Sequence, residues 1–402
     1  MNSKSLKLIN IGNLLTYDSI KKSMISEEGL EITIKNGKII EIGRNLNNAD
    51  QIYDCENNLV TPGFVDCHTH PVFFHDRSNE FDMRVAGNTY EQIEANGGGI
   101  NSSVKSLRDS DYNELKQKVI QRMNNFLKLG TTTLEAKSGY GLDLENELKS
   151  LAILDEINSE HIVDVIPTFM GAHAVPKEYK KNPNDYVDHL CKVIIPAVAK
   201  QGIAKYNDVF CEKGYFDIHQ SEKILSTGLD YGLVPRIHTD EFKNIGGSKL
   251  ASAMKCVSAD HLMCVNDSDI IKMLDANVKA VLLPGTTFFL GKHKYAPYKK
   301  LRDSGLEVAI ATDYNPGSCN IQSMTFIITL SLIYMGFDMN DAIFSSTYMP
   351  SKILNIHDTT GSIEKGKNAD IIVWGLKKPI DIPYYFSTDS IKTVIKSGKI
   401  LF

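Results

Sequence analysis

The chain has 402 residues, of which 42% are hydrophobic and 23% charged, and its formal net charge is −5. This length fits one barrel-sized domain with a smaller one appended, and the composition is that of a globular protein. The charge offers no basic surface for nucleic acid, and no stretch is long and apolar enough to cross a membrane. The seven scattered cysteines never occur as Cys-x-x-Cys, and no apolar leader precedes them, so we expect reduced thiols in a cytoplasmic protein.

The two ends of the chain are predicted to form β-structure. Residues 30–43 alternate apolar and polar side chains around Asn36-Gly37, a dipeptide typical of tight hairpin turns. Residues 391–402 repeat this pattern around Ser397-Gly398, and a further strand is predicted over 369–374. Neither end supplies enough strands for a stable sheet, so we expect residues 1–58 and 358–402 to pair in one small β-sandwich.

The central region, residues 59–357, alternates short apolar runs with helical patterns. Its clearest helix covers 111–129, with Asp111 as N-cap, apolar residues on one face and Gly130 as the end signal. Eight strand–helix units over about 290 residues predict an α/β fold with a (β/α)8 barrel, for which about 250 residues are typical. The alternative, an open doubly wound sheet, lacks a Gly-x-Gly-x-x-Gly after the first strand. The strands are predicted over 64–67, 131–136, 163–168, 206–211, 233–238, 257–261, 279–283 and 308–313.

Residues 72–108 follow the first barrel strand and show no convincing core pattern, so a long loop is predicted there. This segment contains Arg77, Tyr90 and the run Gly97-Gly98-Gly99. Loops of this length in compact domains are usually functional or disordered. We interpret this one as a flexible lid over an active site, and the sequence leaves open whether it closes.

Residues able to bind a metal lie where the predicted barrel strands end. The first strand leads into His68-x-His70, whose imidazoles share one face because residues two apart in a strand point the same way. The fifth strand ends at His238, the sixth at His261 and the eighth at Asp313. Catalytic groups of barrel enzymes collect at the carboxyl ends of the strands, so we expect these five side chains to converge.

Longer motifs surround these residues. The motifs are Pro62-Gly-Phe-Val-Asp-Cys-His-Thr-His70, Asp76-Arg77-Ser78, Gly87-x-x-Tyr90, Gly97-Gly-Gly-Ile100, Glu135-Ala-Lys-Ser-Gly-Tyr140-Gly-Leu, Gly171-Ala-His173, His238-x-Asp-Glu241 and Asp313-Tyr-Asn315-Pro-Gly317. With them the chain resembles the amidohydrolase superfamily of metal-dependent hydrolases and, within it, the imidazolonepropionase family. The first of the motifs is shared across the superfamily, whereas the glycine run and the motif that begins at Glu135 are far more particular.

The resemblance implies an amidohydrolase-like barrel with one Zn²⁺ or iron ion per chain. Its ligands would be His68, His70, His238 and Asp313, a nitrogen and oxygen set that suits both metals. Dinuclear relatives carry a carboxylated lysine at the end of the fourth strand, and this chain has none there, which favours one ion. Lys137, at the end of the second strand, is a remaining but weak candidate for that role. The choice between zinc and iron stays open.

The resemblance also implies the catalytic groups. Glu241 would be the general base and proton shuttle, Asp313 would share in catalysis, and His261 would orient the hydroxide or polarise the substrate carbonyl. Their relative roles in proton transfer stay open. Arg77 suits a carboxylate because a guanidinium can donate two parallel hydrogen bonds to it. The implied substrate contacts are Arg77, Tyr90, Tyr140, His173, Glu241, Asn315, Gly317 and Ser318.

The implied reaction belongs to histidine degradation. It is the hydrolytic ring opening of a small molecule, 4-imidazolone-5-propanoate, to N-formimidoyl-L-glutamate by a metal-activated hydroxide. One alternative is another mononuclear amidohydrolase that opens a cyclic amide or deaminates a heterocycle, although Arg77 argues against a neutral substrate. A second alternative, an inactive relative used as a scaffold, conflicts with the complete set of ligands. We expect no nucleic-acid or membrane partner, and the sequence leaves open whether the chain forms a homodimer.

Overall fold

The computed structural model describes residues 5–88, 92–93 and 97–402. Tyr90, one of the implied substrate contacts, lies outside the described residues. Among the described residues, no helix is long and apolar enough to span a membrane.

Strands and helices alternate through the central region, whereas the two chain ends are mainly strands. The strands are β1 (Leu6–Asp18), β2 (Ser23–Glu27), β3 (Glu31–Lys35), β4 (Lys38–Gly43), β5 (Gln51–Pro62), β6 (Phe64–Asp66), β7 (Thr131–Lys137), β8 (Asp164–Ala172), β9 (Tyr206–Cys211), β10 (Val234–Thr239), β11 (Ser258–His261), β12 (Lys279–Leu282), β13 (Val308–Ile310), β14 (Ile371–Trp374), β15 (Ile391–Lys396) and β16 (Lys399–Ile400). The α-helices are Ser78–Val85, Ile100–Arg108, Tyr112–Lys128, Leu144–Glu160, Pro183–His189, Ile195–Gln201, Ile218–Asp230, Gly247–Ala253, Asp267–Asp275, Pro284–Phe289, Tyr298–Asp303, Met324–Leu330, Met339–Ser346, Tyr348–Ile353 and Asp381–Tyr384.

β6 to β13 form a parallel sheet in which each strand pairs with the next along the chain. The first and last strands meet just beyond their ends. There the amide of Asp313 donates to the carbonyl of His68 at 3.0 Å, and the amide of His70 donates to the carbonyl of Tyr314 at 2.8 Å. These bonds close the barrel at residues predicted to bind a metal. The predicted (β/α)8 barrel is confirmed, and each predicted barrel strand is present to within a few residues.

Strands from both chain ends form the second sheet, in the order β16-β15-β14-β5-β1-β3-β4 with β2 beside β1. β5 pairs in parallel with β1 and antiparallel with β14, which joins the two ends of the chain. Apolar side chains of this sheet, among them Leu8, Ile32 and Ile371, form a core of their own. The prediction that both ends build one β-structure is confirmed, and residues 59–62 of β5 continue its sheet beyond residue 58.

The helix Tyr112–Lys128 follows the pattern read from the sequence. Asp111 caps it, since its side chain accepts hydrogen bonds from the backbone amides of Asn113 and Glu114. The apolar face is buried in the main core, which lies between the barrel and its helices. The buried residues are Leu115, Val119, Met123, Phe126 and Leu127.

Residues 72–108 differ from the irregular loop that was predicted. The described part contains the helices Ser78–Val85 and Ile100–Arg108. The second of these buries one face, and its three large apolar residues recur at helical spacing. So short a pattern does not stand out in the sequence, which explains the error. The buried apolar residues are Ile100, Val104 and Leu107.

Candidate metal centre

His68, His70, His238 and Asp313 converge at the carboxyl end of the barrel strands. Nε2 of His70 lies 3.3 Å from Nε2 of His68 and 3.3 Å from Nε2 of His238. One carboxylate oxygen of Asp313 lies 3.4 Å from Nε2 of His70 and 3.5 Å from Nε2 of His68. These side chains are buried, so their nitrogen and oxygen atoms face one another rather than water.

This geometry fits a bound metal ion. Ligand atoms held at about 2.0–2.1 Å from a tetrahedral centre are about 3.3–3.4 Å from one another. The separations between the imidazole nitrogens and the carboxylate oxygen fall at or close to that value. The donor set suits Zn²⁺ or iron. The residues present therefore fit the metal that the family resemblance implies.

Buried carboxylates fix the orientation of these imidazoles. Nδ1 of His68 lies 2.6 Å from Oδ2 of Asp260, and Nδ1 of His238 lies 2.9 Å from Oδ1 of Asp208. Each Nδ1 can donate its proton to its carboxylate, which leaves the lone pair of Nε2 directed at the centre. With the proton on Nδ1, each ring has the tautomer that a metal ligand requires.

Further charges lie behind these carboxylates. Nζ of Lys137 is 2.7 Å from Oε1 of Glu135 and 3.1 Å from Oδ2 of Asp208. The guanidinium of Arg236 donates to Oδ2 of Asp260 at 2.9 Å, and this group is also fully buried. Lys137 therefore pairs with the carboxylates of Glu135 and Asp208. This position differs from that expected of a carboxylated lysine that binds metal.

The sequence analysis missed Glu135, Asp208, Arg236 and Asp260 as parts of this site. Each is a charged residue within a strand whose residues are almost all buried. Arg236 stands two residues before His238, so the two side chains point to the same side of β10. Charged residues in such strands are the signal that could have identified them.

Burial and charge set the protonation states near the centre. Burial lowers the pKa of His261 to about 4 and that of His238 well below its ordinary value. Burial opposes ionisation of Asp313, but the neighbouring His68 and His70 outweigh it and hold the pKa of that carboxyl well below its usual range. Burial also opposes protonation of His68, but Asp260 and Asp313 outweigh it and raise the pKa of this imidazole, whose Nε2 would release its proton on binding a metal ion. Neutral imidazoles beside an ionised carboxylate are the states that bind a metal ion.

Glu241 and His261 lie beside the proposed metal ligands. Oε2 of Glu241 is 3.7 Å from Nε2 of His261. Burial, together with the charge of Asp313, raises the pKa of Glu241 to about 8. The backbone φ angles of His261 and Asp313 are +82° and +52°, a left-handed conformation that is uncommon for such residues and recurs at functional sites.

Arg77 packs against the turn that follows β13. A Cβ added to Gly317 would overlap its guanidinium, so glycine leaves the room that this group fills. The side chain is 9% exposed, and its Nε lies 3.6 Å from a carboxylate oxygen of Glu80. Among the described residues, Nε and Nη1 have no hydrogen-bond partner. Buried N–H donors of a charged side chain that lack hydrogen-bond partners are expected where an anion binds.

Tyr140 and His173 stand on the His70 side of the centre. The rings of His70 and His173 stack with centroids 5.2 Å apart, and the Tyr140 ring is 5.1 Å from that of His173. Nδ1 of His173 lies 3.0 Å from the carbonyl of Gly139, and burial lowers the pKa of this imidazole to about 3. Both side chains therefore offer polar groups next to the metal ligands.

The turn after β13 is built on the side chain of Asn315. Its Oδ1 accepts hydrogen bonds from the amides of Gly317 at 2.9 Å and Ser318 at 2.7 Å, and its Nδ2 donates to the carbonyl of Asp313 at 2.7 Å. Nδ2 also donates to Oγ of Ser318 at 2.9 Å. Asn315 thus fixes the shape of the turn against which Arg77 packs.

Comparison with known proteins gives three further findings. A profile of the Amidohydrolase family matches residues 235–401. The imidazolonepropionase of Brevibacillus brevis is 41% identical over 396 residues, which cover 98% of this chain and 91% of that protein, and that of Alkaliphilus metalliredigens is 40% identical over 377 residues, which cover 92% and 89%. A triazine hydrolase from Arthrobacter aurescens superposes with a TM-score of 0.76 over 99% of this chain and 94% of that one, at 15% identity, which shows a shared fold alone.

Proposed function

The chain belongs to the imidazolonepropionase family of amidohydrolases, and we propose that the centre described above opens the ring of 4-imidazolone-5-propanoate to give N-formimidoyl-L-glutamate. The observation that carries this proposal is the convergence of His70, its neighbouring imidazoles and Asp313 around one position. The open guanidinium of Arg77, which packs on the turn four residues after Asp313, supplies the second element that the substrate needs.

One zinc or iron ion per chain would be held by His68, His70, His238 and Asp313. When bound there, the ion lowers the pKa of a water molecule to about 7 and so supplies hydroxide at neutral pH. Asp260 and Asp208 keep the rings of His68 and His238 oriented towards it.

Glu241 takes part in the proton transfers. The oxygen of the attacking water adds to the ring carbonyl carbon, the bond from that carbon to the ring nitrogen breaks, and the nitrogen receives a proton. Glu241 accepts the proton of the water and delivers one to the nitrogen. Its burial beside the proposed ligands, with Oε2 3.7 Å from Nε2 of His261, places the carboxylate where it can exchange protons with a water molecule bound at the centre.

His261 stabilises the negative charge that develops on the carbonyl oxygen. Its imidazole is buried, and Nδ1 has no hydrogen-bond partner among the described residues. A neutral imidazole held in place beside the reacting carbon can donate to that oxygen without reorganising. The left-handed backbone at this residue fixes where the ring points.

Arg77 binds the propionate carboxylate, while Tyr140 and His173 contact the ring. A guanidinium with open donors matches the two oxygens of a carboxylate, which a neutral heterocycle lacks. Gly317 and Ser318 are proposed as further contacts to the substrate, on the turn that Asn315 holds.

The test is to follow the ultraviolet absorbance of 4-imidazolone-5-propanoate with the purified, metal-analysed protein. We expect consumption of the substrate, formation of N-formimidoyl-L-glutamate, and loss of both turnover and bound metal in His238→Ala. A metal-loaded protein that leaves this substrate intact would refute the proposed reaction.

A further inference from the structure

A group of charged side chains lies behind the metal ligands, and we call it the ion cluster: Glu135, Lys137, Asp208, Arg236 and Asp260. They belong to the barrel strands β7, β9, β10 and β11, and each is fully buried. Glu135 approaches both cations, with Oε1 2.7 Å from Nζ of Lys137 and 3.6 Å from Nη1 of Arg236. Three carboxylates and two cations leave the ion cluster with one negative charge.

Two carboxylates of the ion cluster, together with the adjacent His238, have donor atoms that could bind a second metal ion. Ligand atoms of Asp208, His238 and Asp260 lie within 4.8 Å of one another. Oδ1 of Asp260 is buried and has no hydrogen-bond partner among the described residues. Carboxylate oxygens and imidazole nitrogens are ligands for divalent ions, and a buried carboxylate oxygen without a partner is unfavourable. The ammonium of Lys137 and the guanidinium of Arg236 already lie against these two carboxylates.

We propose that the ammonium of Lys137 takes the place of a second metal ion and so restricts this centre to one. Nζ lies 2.7 Å from Glu135 and 3.1 Å from Asp208, and it neutralises carboxylates that would otherwise bind a cation. A divalent ion entering there would meet a positive charge at close range among buried side chains, where repulsion is strong. This inference rests on the metal centre of the proposed function.

Removing the ammonium of Lys137 should allow a second metal ion to bind. In Lys137→Ala the ion cluster keeps three carboxylates and the Arg236 guanidinium, so two negative charges stay buried. One divalent ion balances that charge, and the shortened side chain opens space beside Asp208. Lys137→Ser creates the same space and adds a hydroxyl oxygen as a further ligand.

Lys396→Ala is the matched control. Lys396 is also fully buried, and its Nζ lies 2.6 Å from Asp164 and 2.9 Å from Asp370. It belongs to β15 of the second sheet, so its loss removes a buried ammonium without changing the metal centre. Any general effect of losing a buried lysine appears in this variant as well.

The experiment measures metal per chain. Wild type and the three variants are equilibrated with the same buffered free zinc concentration, freed of loose metal and analysed by mass spectrometry of the elements. We expect one zinc ion in wild type and in Lys396→Ala, and two in Lys137→Ala and Lys137→Ser. A variant that does not fold without metal is refolded against increasing zinc, and regain of its circular dichroism should then require two equivalents.

A single ion in both Lys137 variants would overturn the inference, because carboxylates freed of the ammonium would then bind protons instead. Two ions in Lys396→Ala or in wild type would overturn it as well. A wild-type protein without any bound ion would refute the metal centre itself, and this outcome is distinct because it precedes any comparison of variants.

Discussion

Replacing Gly317 by alanine should displace the guanidinium of Arg77, although Arg77 itself is not mutated. The added Cβ would overlap Nη2, Cζ and Nε of the guanidinium, so the side chain must withdraw by more than about 2 Å to restore an ordinary contact of about 3.5–4 Å. The backbone of Gly317 is not left-handed, so alanine adds no backbone strain there. The barrel and the metal ligands should therefore stay intact.

The size of the effect follows from the bonds that are lost. A hydrogen bond to a charged group contributes about 1.5–3 kcal/mol, and a guanidinium moved by this distance no longer reaches the carboxylate in its forked geometry. A loss of about 3 kcal/mol lowers kcat/KM roughly a hundredfold, since each 1.36 kcal/mol is about a factor of ten. Arg77→Met should produce a loss of the same order, and the two changes together should add little because they remove the same interaction.

The assay compares kcat/KM for 4-imidazolone-5-propanoate with that for an imidazolone lacking the carboxylate. The kcat/KM for the substrate with the carboxylate should fall strongly, and that for the imidazolone without it should change little. The metal content should be unchanged. Gly375→Ala serves as the control, because its Cβ would meet only the carbonyl of Ser390 at an ordinary 3.6 Å. Equal losses of kcat/KM for both substrates, or additive losses in the double variant, would show that Arg77 does not bind the carboxylate.

Three further predictions concern the metal centre. Glu241→Gln keeps the shape of the side chain but not its basicity, so steady-state turnover should fall about 10²-fold or more while metal analysis still finds the ion; near-normal turnover would assign the proton transfers elsewhere. Asp260→Asn weakens the partner of the His68 imidazole, and competition with a chelator should show about 10- to 100-fold weaker metal binding, whereas unchanged affinity would contradict the orienting role. In the metal-free protein, Glu241 has a pKa raised from 4.5 to about 8, so the folded state holds a proton that the unfolded chain has released, and stability falls as the pH rises through this range. Urea unfolding should therefore show a smaller loss of stability between these pH values for metal-free Glu241→Gln than for metal-free wild type, and equal losses would refute the buried-carboxyl explanation.

The barrel could be predicted from the sequence because its strands are short apolar runs that end in polar residues. Parallel strands place those ends at one edge, so His68, His238 and Asp313 were expected to meet, and the structure brings them together. The hairpins at the chain ends were predictable for a different reason, since Asn36-Gly37 and Ser397-Gly398 provide turn residues between alternating strands.

The ion cluster could not be predicted in the same way. Its contacts join residues as far apart as Cys67 and Arg236, whose guanidinium donates to the carbonyl of residue 67, and strand patterns carry no information on such pairings. The sequence around a charged strand residue such as Asp208 looks the same whether its carboxylate orients a histidine ring or pairs with a lysine. The contact between Arg77 and Gly317 could not be predicted either, because it depends on how two loops pack.

The closure of the barrel between its first and last strands gives the centre a mechanical role. The amides of Asp313 and His70 bond across that seam, and the proposed ligands stand on both sides of it. An ion bound by His68, His70 and Asp313 would link the first and last strands in addition to these two hydrogen bonds. The ion proposed to activate water would therefore also stabilise the closed barrel against unfolding.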